Sequence, residues 1–208
     1  MKVLSIDIDF IVEDFHNERF DNELMPWFKE SHNSWDYWRN VEYRMDTNKL
    51  NFNKGSFEFI ERVFKQSLTL DPQVVFILDH HDIYQFLKDE EELEVVNFDA
   101  HHDIVTVDNN ILHEGSWGYL LWDKVKSWTW VKNKTSNNSG SKIVQKGNSK
   151  LKIISKEEFQ VFEPDFIAVC LSPTYIHPKF WWMYNQLKDF YNDYKYGSER
   201  KINSANTV

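Results

Sequence analysis

The chain carries a single cysteine, Cys170, among its 208 residues. No disulfide can form within it, and a reducing compartment is the simplest expectation. Long apolar runs are missing as well. No stretch approaches the ~18 residues of a membrane span. The opening Met1-Lys2-Val3-Leu4-Ser5-Ile6-Asp7 lacks the pattern of a signal peptide, because its apolar stretch is short and an acid interrupts it. A cytoplasmic protein without membrane attachment is the resulting expectation. Positive charge is in deficit: 24 Lys and Arg face 33 Asp and Glu, for a net charge of -9. That argues against a general affinity for nucleic acid or anionic membrane, and it suits a cationic substrate.

Aromatic residues are abundant. With 16 Phe, 9 Trp and 9 Tyr in a 41% hydrophobic chain, the composition is that of a globular protein whose rings chiefly fill a core. The length fits one domain, residues 1–208.

Lys2 to Phe10 alternates aliphatic and polar residues and reads as a first strand. Glu13 to Asn53 has weak periodicity and reads as an irregular insertion with short helices. From Ser56 to Leu68, apolar residues recur at helical spacing. Val74 to Leu78 reads as a short buried strand, Ile83 to Leu93 as a helix, and Val95 to Phe98 as a strand. Trp117 to Trp128 reads as a helix. Residues 133–150, rich in Asn, Ser, Gly and Lys, read as a flexible loop or exposed hairpin. Leu151 to Ile154 and Phe166 to Leu171 read as strands, Lys179 to Tyr194 as a helix, and 197–208 as a tail. Alternating strands and helices, several strands being wholly apolar, imply an α/β fold: a three-layer α/β/α arrangement around a mostly parallel central sheet. Sites in such sheets lie at the carboxyl ends of strands.

Three strand ends carry the chemistry. The first reads Ser5-Ile6-Asp7-Ile8-Asp9, the second Asp79-His80-His81-Asp82, and the third Asp99-Ala100-His101-His102-Asp103. In extended geometry residues i, i+2 and i+4 share a face. That aligns Asp7 with Asp9, and Asp99 with His101 and Asp103. Any one cluster is a weak signal, since a solvated strand end or a hydrogen-bonded histidine would explain it. Three in succession, each directly after an apolar strand, point to a shared metal site. Asp7, Asp9, Asp99 and Asp103 supply four carboxylates, and His80 and His101 two imidazoles. Four negative charges balance two divalent cations. Oxygen-rich ligation with one nitrogen per metal leans toward two Mn²⁺, with Fe²⁺ and Zn²⁺ as alternatives. His81 and His102 point away on an extended chain and read as structural neighbours, although His81 competes with His80 as ligand. His16, His32 and His177 read as surface or packing residues.

The third cluster resembles the Asp-Ala-His-x-Asp metal motif of the arginase–agmatinase–deacetylase superfamily. Leu78-Asp79-His80 is similar to that family's earlier histidine-bearing strand end. Ile111-Leu112-His113-Glu114-Gly115-Ser116-Trp117-Gly118 resembles its His-Gly segment. The match is good over residues 74–123. One departure stands out: the late strand Ala168-Val169-Cys170-Leu171-Ser172-Pro173 has no acid where arginases carry a second Asp-x-Asp, and Asp7 and Asp9 sit at the other end of the chain. The early Asp-Ile-Asp-Phe and the late Leu-Ser-Pro-x-Tyr are similar to a divergent branch that includes peptide arginases, which convert arginine in ribosomally made precursor peptides to ornithine.

The resemblance implies an arginase-like fold and a Mn²⁺-dependent hydrolase that releases urea, with an arginine-containing precursor peptide as partner. It implies that Asp103 passes a proton to the leaving amine and that His113 relays protons or orients the substrate. Glu114 becomes a candidate to pair with the guanidinium, capping the next helix being the competing reading. Trp117 becomes a candidate to flank the substrate, against a plain core position. The oligomeric state is left open. Competing functions are a ureohydrolase or deacetylase acting on a free small molecule, a phosphoesterase of the DHH type, and a metal-stabilised binding protein without chemistry. Against the phosphoesterase stand the absence of a histidine before Asp7-Ile8-Asp9 and of a glycine-rich substrate segment.

Overall fold

A computed structural model describes residues 1–11, 37–39, 50–107, 111–113, 115–134, 136 and 141–205, the last eight of these as backbone alone. Six strands form one sheet: β1 (Lys2–Asp7), β2 (Gln73–Ile77), β3 (Leu93–Phe98), β4 (Val125–Lys132), β5 (Leu151–Ser155) and β6 (Phe166–Cys170). Their order is β2-β6-β1-β3-β4-β5, and every neighbouring pair is parallel. The fold is therefore α/β, as the alternation of elements implies.

Both faces of the sheet are buried, each against its own layer. Leu4, Ile6, Val96, Phe98, Ile167 and Val169 point to one side, where α1 (Lys54–Leu68) and α5 (Trp182–Ala205) cover them with Phe57, Ile60, Phe64, Met183 and Leu187. Val3, Val95, Phe166, Ala168 and Cys170 point to the other side. There they meet Ile83 and Leu87 of α2 (Ile83–Leu87) and Trp117 of the one-turn α3 (Trp117–Leu120). The period-2 alternation of side chains on each strand divides the two cores. Helix α1 starts where Asn53 accepts the backbone N–H of Ser56 through its side chain, an N-cap worth about 1 kcal/mol.

Several boundaries differ from the sequence reading. The first strand stops at Asp7, and Ile8–Ile11 form a 3-10 turn. β2 is an edge strand and half-buried, not enclosed. The helix expected over Ile83 to Leu93 ends at Leu87, because Leu93 is already the first residue of β3. The helix expected from Trp117 to Trp128 lasts one turn, and Val125–Lys132 is a strand with Trp128 and Trp130 buried on it. Its Val-Lys-Ser-Trp-Thr-Trp-Val-Lys run has the period of a strand. Gly118 makes this packing feasible, since a Cβ there would collide with the Trp128 ring. Within residues 133–150 a short helix, α4 (Lys142–Lys146), begins at the Ser141 cap. The α5 backbone runs to Ala205, past the expected fraying at Gly197. Most of the Glu13–Asn53 insertion lies outside the described residues; Tyr37 and Trp38, which are described, are buried in the α1 side of the core.

β1 and β3 lie side by side with Ile6 abreast of Phe98. The chain leaves β1 for the β2 edge and leaves β3 for β4, in opposite directions across the sheet. The crevice beyond such a reversal is where open α/β sheets bind ligands, and Asp7 and Asp99 stand there one residue past the paired positions.

Candidate metal centre

Asp7 closes β1, and the chain then folds back in the 3-10 turn. The backbone N–H of Asp9 donates to Asp7 Oδ1 at 3.0 Å. Asp9 thus reaches the site through a turn, not through the strand alternation expected from the sequence. The same holds at β3. The strand ends at Phe98, and Asp99 to Asp103 form an irregular bend in which Asp103 takes a left-handed φ of 57°. Such a conformation costs about 1 kcal/mol in a non-glycine residue and turns the Asp103 carboxylate back over the strand end. After β2, a 3-10 turn over His80–Asp82 drives His80 inward, where it is 2% exposed.

The result is one cluster with Asp99 at its middle. On one side, His80 Nδ1 lies 3.1 Å from Asp7 Oδ2, 3.1 Å from Asp99 Oδ2 and 2.9 Å from Asp103 Oδ2. None of these oxygens lies where an N–H hydrogen bond would place it. On the other side, His101 Nδ1 lies 2.8 Å from Asp9 Oδ2 and 3.4 Å from Asp99 Oδ1. Asp7, His80 and Asp99 form one group able to hold a metal ion, and Asp9, Asp99 and His101 another. The two oxygens of Asp99 face different groups.

Neighbouring polar groups fix these side chains. Ser5 Oγ meets His80 Nε2 at 2.7 Å, which leaves Nδ1 as the nitrogen aimed at the carboxylates. Asn97 Nδ2 donates to Asp99 Oδ2 and Asp103 Oδ2, both at 3.3 Å. Trp117 Nε1 donates to Asp103 Oδ2 at 2.8 Å. Ser172, itself at a left-handed φ of 49°, donates to Asp7 Oδ2 at 2.5 Å. The Asp99 carbonyl accepts from Trp130 Nε1 at 3.0 Å.

The electrostatics are those of a cluster short of positive charge. Burial and the adjacent Asp9 push the Asp7 carboxyl up to about 6. Burial, with Asp103 and Asp9 nearby, raises Asp99 well above the usual range. Burial alone would lower both histidines. Asp103, with Asp7 and Asp99, instead holds His80 well above its ordinary value, and Asp9 with Asp99 does the same for His101. Asp103 is also penalised by burial, but His80 outweighs this and keeps it below the usual range. These carboxylates cannot all ionise in a buried space without a cation. A divalent ion satisfies that demand, and it satisfies the unaligned His80 Nδ1. Neighbouring donors on a six-coordinate ion stand about 3 Å apart, given bonds of about 2.1 Å, which matches the spacing around His80. The donor set fits a hard or borderline divalent metal.

All six expected ligands, Asp7, Asp9, His80, Asp99, His101 and Asp103, come together. His81 is a third exposed and nearest Asp82, so His80 is the inward residue of that pair. His102 is buried, accepts the Ile104 N–H on Nδ1 at 3.1 Å and lies edge-on to Trp130. Trp117 is fully buried and acts on the carboxylate of Asp103 from within the core. His113 is exposed, and its Nδ1 accepts the Gly115 N–H at 3.2 Å; the ring caps the turn that starts α3. Glu114, His16 and His32 lie outside the described residues. His177 is buried against Trp38 and Phe180. The sequence reading assigned no role to Ser5, Asn97 or Ser172. Ser5 and Asn97 each sit two residues before a ligand aspartate on a strand, so the same i, i+2 rule pointed to them. Ser172 had no local signal: it reaches Asp7 because β6 pairs with β1, with Cys170 opposite Asp7.

Comparison with family models, curated proteins and solved structures gives no match to the chain.

Proposed function

We propose that the protein is an arginase-like, metal-dependent hydrolase that converts arginine side chains of a peptide to ornithine and releases urea. The observation that carries this reading is the two-sided placement of Asp99, with Oδ2 toward His80 and Oδ1 toward His101. It gives the cluster two halves that share one carboxylate. Asp7, His80, Asp99 and Asp103 would hold one divalent cation, and Asp9, Asp99 and His101 a second, Mn²⁺ being favoured by the oxygen-rich set. When bound, such a pair would supply hydroxide at neutral pH by lowering the pKa of water, which the poorly electrophilic guanidinium requires.

The protein's own groups then have separate tasks. The net charge of -9 on the chain as a whole favours the approach of a cationic guanidinium. Ser5, Asn97, Trp117 and Ser172 keep the ligands oriented, the part that hydrogen-bonded neighbours play around metal ligands generally. In Asp103, Oδ2 already receives two N–H donors, so a proton passed to the leaving amine would travel on Oδ1. His113 accepts on Nδ1, which puts its ring proton on Nε2, and it is exposed enough to exchange that proton with solvent.

The test is mass spectrometry of arginine-containing peptides incubated with the protein and Mn²⁺. Each converted residue loses the elements of CH₂N₂, and urea appears in equal amount. Turnover of free arginine or agmatine with none of peptides would move the assignment to a small-molecule ureohydrolase. Cleavage of a phosphate diester without urea would move it to a phosphoesterase.

A further inference from the structure

A concavity lies at the same end of the sheet as the metal centre. It has a volume of about 180 Å³ and is lined by Lys132, Lys134 and Lys156 together with Phe10, Ser56 and Asn133. Lys132 is the last residue of β4, and Lys156 directly follows β5, so both sit at carboxyl ends of strands. The opposite wall is the first turn of α1, whose positive dipole end adds to the field of the lysines. In a chain with nine more acids than bases, three ammonium groups around one pocket reverse the prevailing sign. Lys132 and Lys134 form no ion pair with a described carboxylate. Lys156 Nζ donates to Ser56 Oγ at 2.9 Å, and Ser56 is 4% exposed. One acid, Glu157, also borders the pocket; its own backbone N–H and the Ser155 hydroxyl hold its carboxylate at the turn after β5, and it offsets part of the charge of Lys156 and Lys134, which leaves the pocket with a net positive charge.

The pocket is tied to the metal centre through the backbone. Phe10 follows Asp9 directly, and its carbonyl accepts from Asn133 Nδ2 at 3.1 Å. Asn133 comes two residues after Val131, whose carbonyl faces the Asp99 N–H at 3.4 Å. A ligand whose reacting end lies at the metal centre therefore has a cationic pocket beside it, suited to an anionic group on the same molecule.

We infer that this lysine pocket is an anion subsite for a substrate carboxylate, and that the preferred substrate is a peptide in which an acidic residue flanks the reacting arginine. This rests on the ureohydrolase reading for the identity of the arginine, but not for the binding of the acid. The pocket and the metal centre together divide the substrate surface: the metal centre for the guanidinium, ammonium groups for the neighbouring acid. Charges of this kind act through long-range attraction and register more than through raw contact energy.

The experiment is titration calorimetry of the full chain with Mn²⁺ present, at low ionic strength. The probes are a doubly blocked Glu-Arg-Glu peptide, its Gln-Arg-Gln counterpart and free arginine, and urea is measured on the same samples. The acidic peptide is expected to bind about tenfold more tightly than its Gln counterpart. That advantage should vanish in a Lys132→Gln/Lys134→Gln variant whose melting temperature matches the wild type, as exposed positions allow. Equal binding of the two peptides to the wild type overturns the inference, and so does an advantage that survives in the variant. A lysine-dependent gain confined to free arginine overturns the flanking residue and makes the α-carboxylate the occupant. Urea release without any Glu-over-Gln preference removes the subsite and leaves the hydrolase. A lysine-dependent preference without urea from any probe removes the hydrolase and leaves the subsite.

Discussion

His80 and His101 touch the same carboxylate, Asp99, from opposite sides, yet the His80 side chain is 3% exposed and that of His101 is 39% exposed. The inner half of the cluster is braced on all sides: Ser5 on the far nitrogen of His80, Asn97 and Trp117 on the carboxylates, Ser172 on Asp7. The outer half is held among the described residues by the His101 N–H on Asp99 Oδ1 at 2.6 Å, the Ala100 N–H on Asp9 Oδ1 at 3.1 Å and the Tyr175 ring, 5.1 Å from that of His101. Rigid, water-excluded donors favour tight retention of a cation. Partly exposed ones allow a substrate to approach. Under the proposed function, this difference in burial would divide the labour within one cluster: the inner half would hold a cation, and the outer half would admit a substrate.

The largest effect should come from the residue that both halves share. Asp99→Ala removes a ligand from each, so metal content should fall to background and urea release should become unmeasurable, with far-UV circular dichroism nearly unchanged. Retained metal in that variant would break the picture of a shared centre. Next come the two histidines, compared directly. His80→Ala leaves three carboxylates facing one another in a buried space, and loss of one partner from a buried charged group costs about 3–5 kcal/mol. His101→Ala disturbs a partly exposed pair and should cost about 1 kcal/mol or less, while its metal content falls by about half. Thermal melting and metal analysis of the two variants sharpen the contrast. Equal losses in both would show that burial does not separate the halves.

How much of this was legible in the sequence depends on what carries each feature. The six ligands were visible because each cluster directly follows a short run with the pattern of a strand. The parallel sheet followed from the same runs alternating with helical segments. Strand alternation nevertheless does not account for how the six converge. Asp9, His101 and Asp103 are brought inward by a 3-10 turn and a left-handed residue, not by strand alternation. Short-range turn geometry leaves little trace in composition, especially when Asp and Ser occupy the left-handed positions that Gly would advertise. β4 was misread because Trp117 to Trp128 has apolar residues at spacings that satisfy both periods, and the close approach of Trp128 to Gly118 is a tertiary fact. Trp117 was legible as a core residue but not as a hydrogen-bond donor to Asp103, since the contact spans a bend whose path the sequence does not specify.

The smallest effect, and the one that probes the inner half most directly, is the response of the metal-free protein to pH. Asp7 titrates near 6 in the folded chain against an ordinary 3.8, so the folded state holds its proton longer than the unfolded state does. Stability from this source falls as pH rises from about 4 to 6. Asp99 acts in the same direction. His80 and His101, held above the ordinary 6.5, contribute stability that is complete below that value and is lost as pH climbs through their folded values. Asp103 works oppositely, losing its contribution only in stronger acid, below 3.8. The metal-free melting temperature should therefore drop by a few degrees between about pH 5.5 and pH 8, and Mn²⁺ should restore it most at the higher pH, where it no longer competes with protons. General repulsion in a chain of charge -9 gives a slope of the same sign. Asp99→Ala separates the two, because it dismantles the cluster and changes the net charge by a single unit. A slope unchanged in that variant would assign the pH response to the surface, and a melting temperature that rises toward pH 8 without metal would contradict the charge-starved inner half altogether.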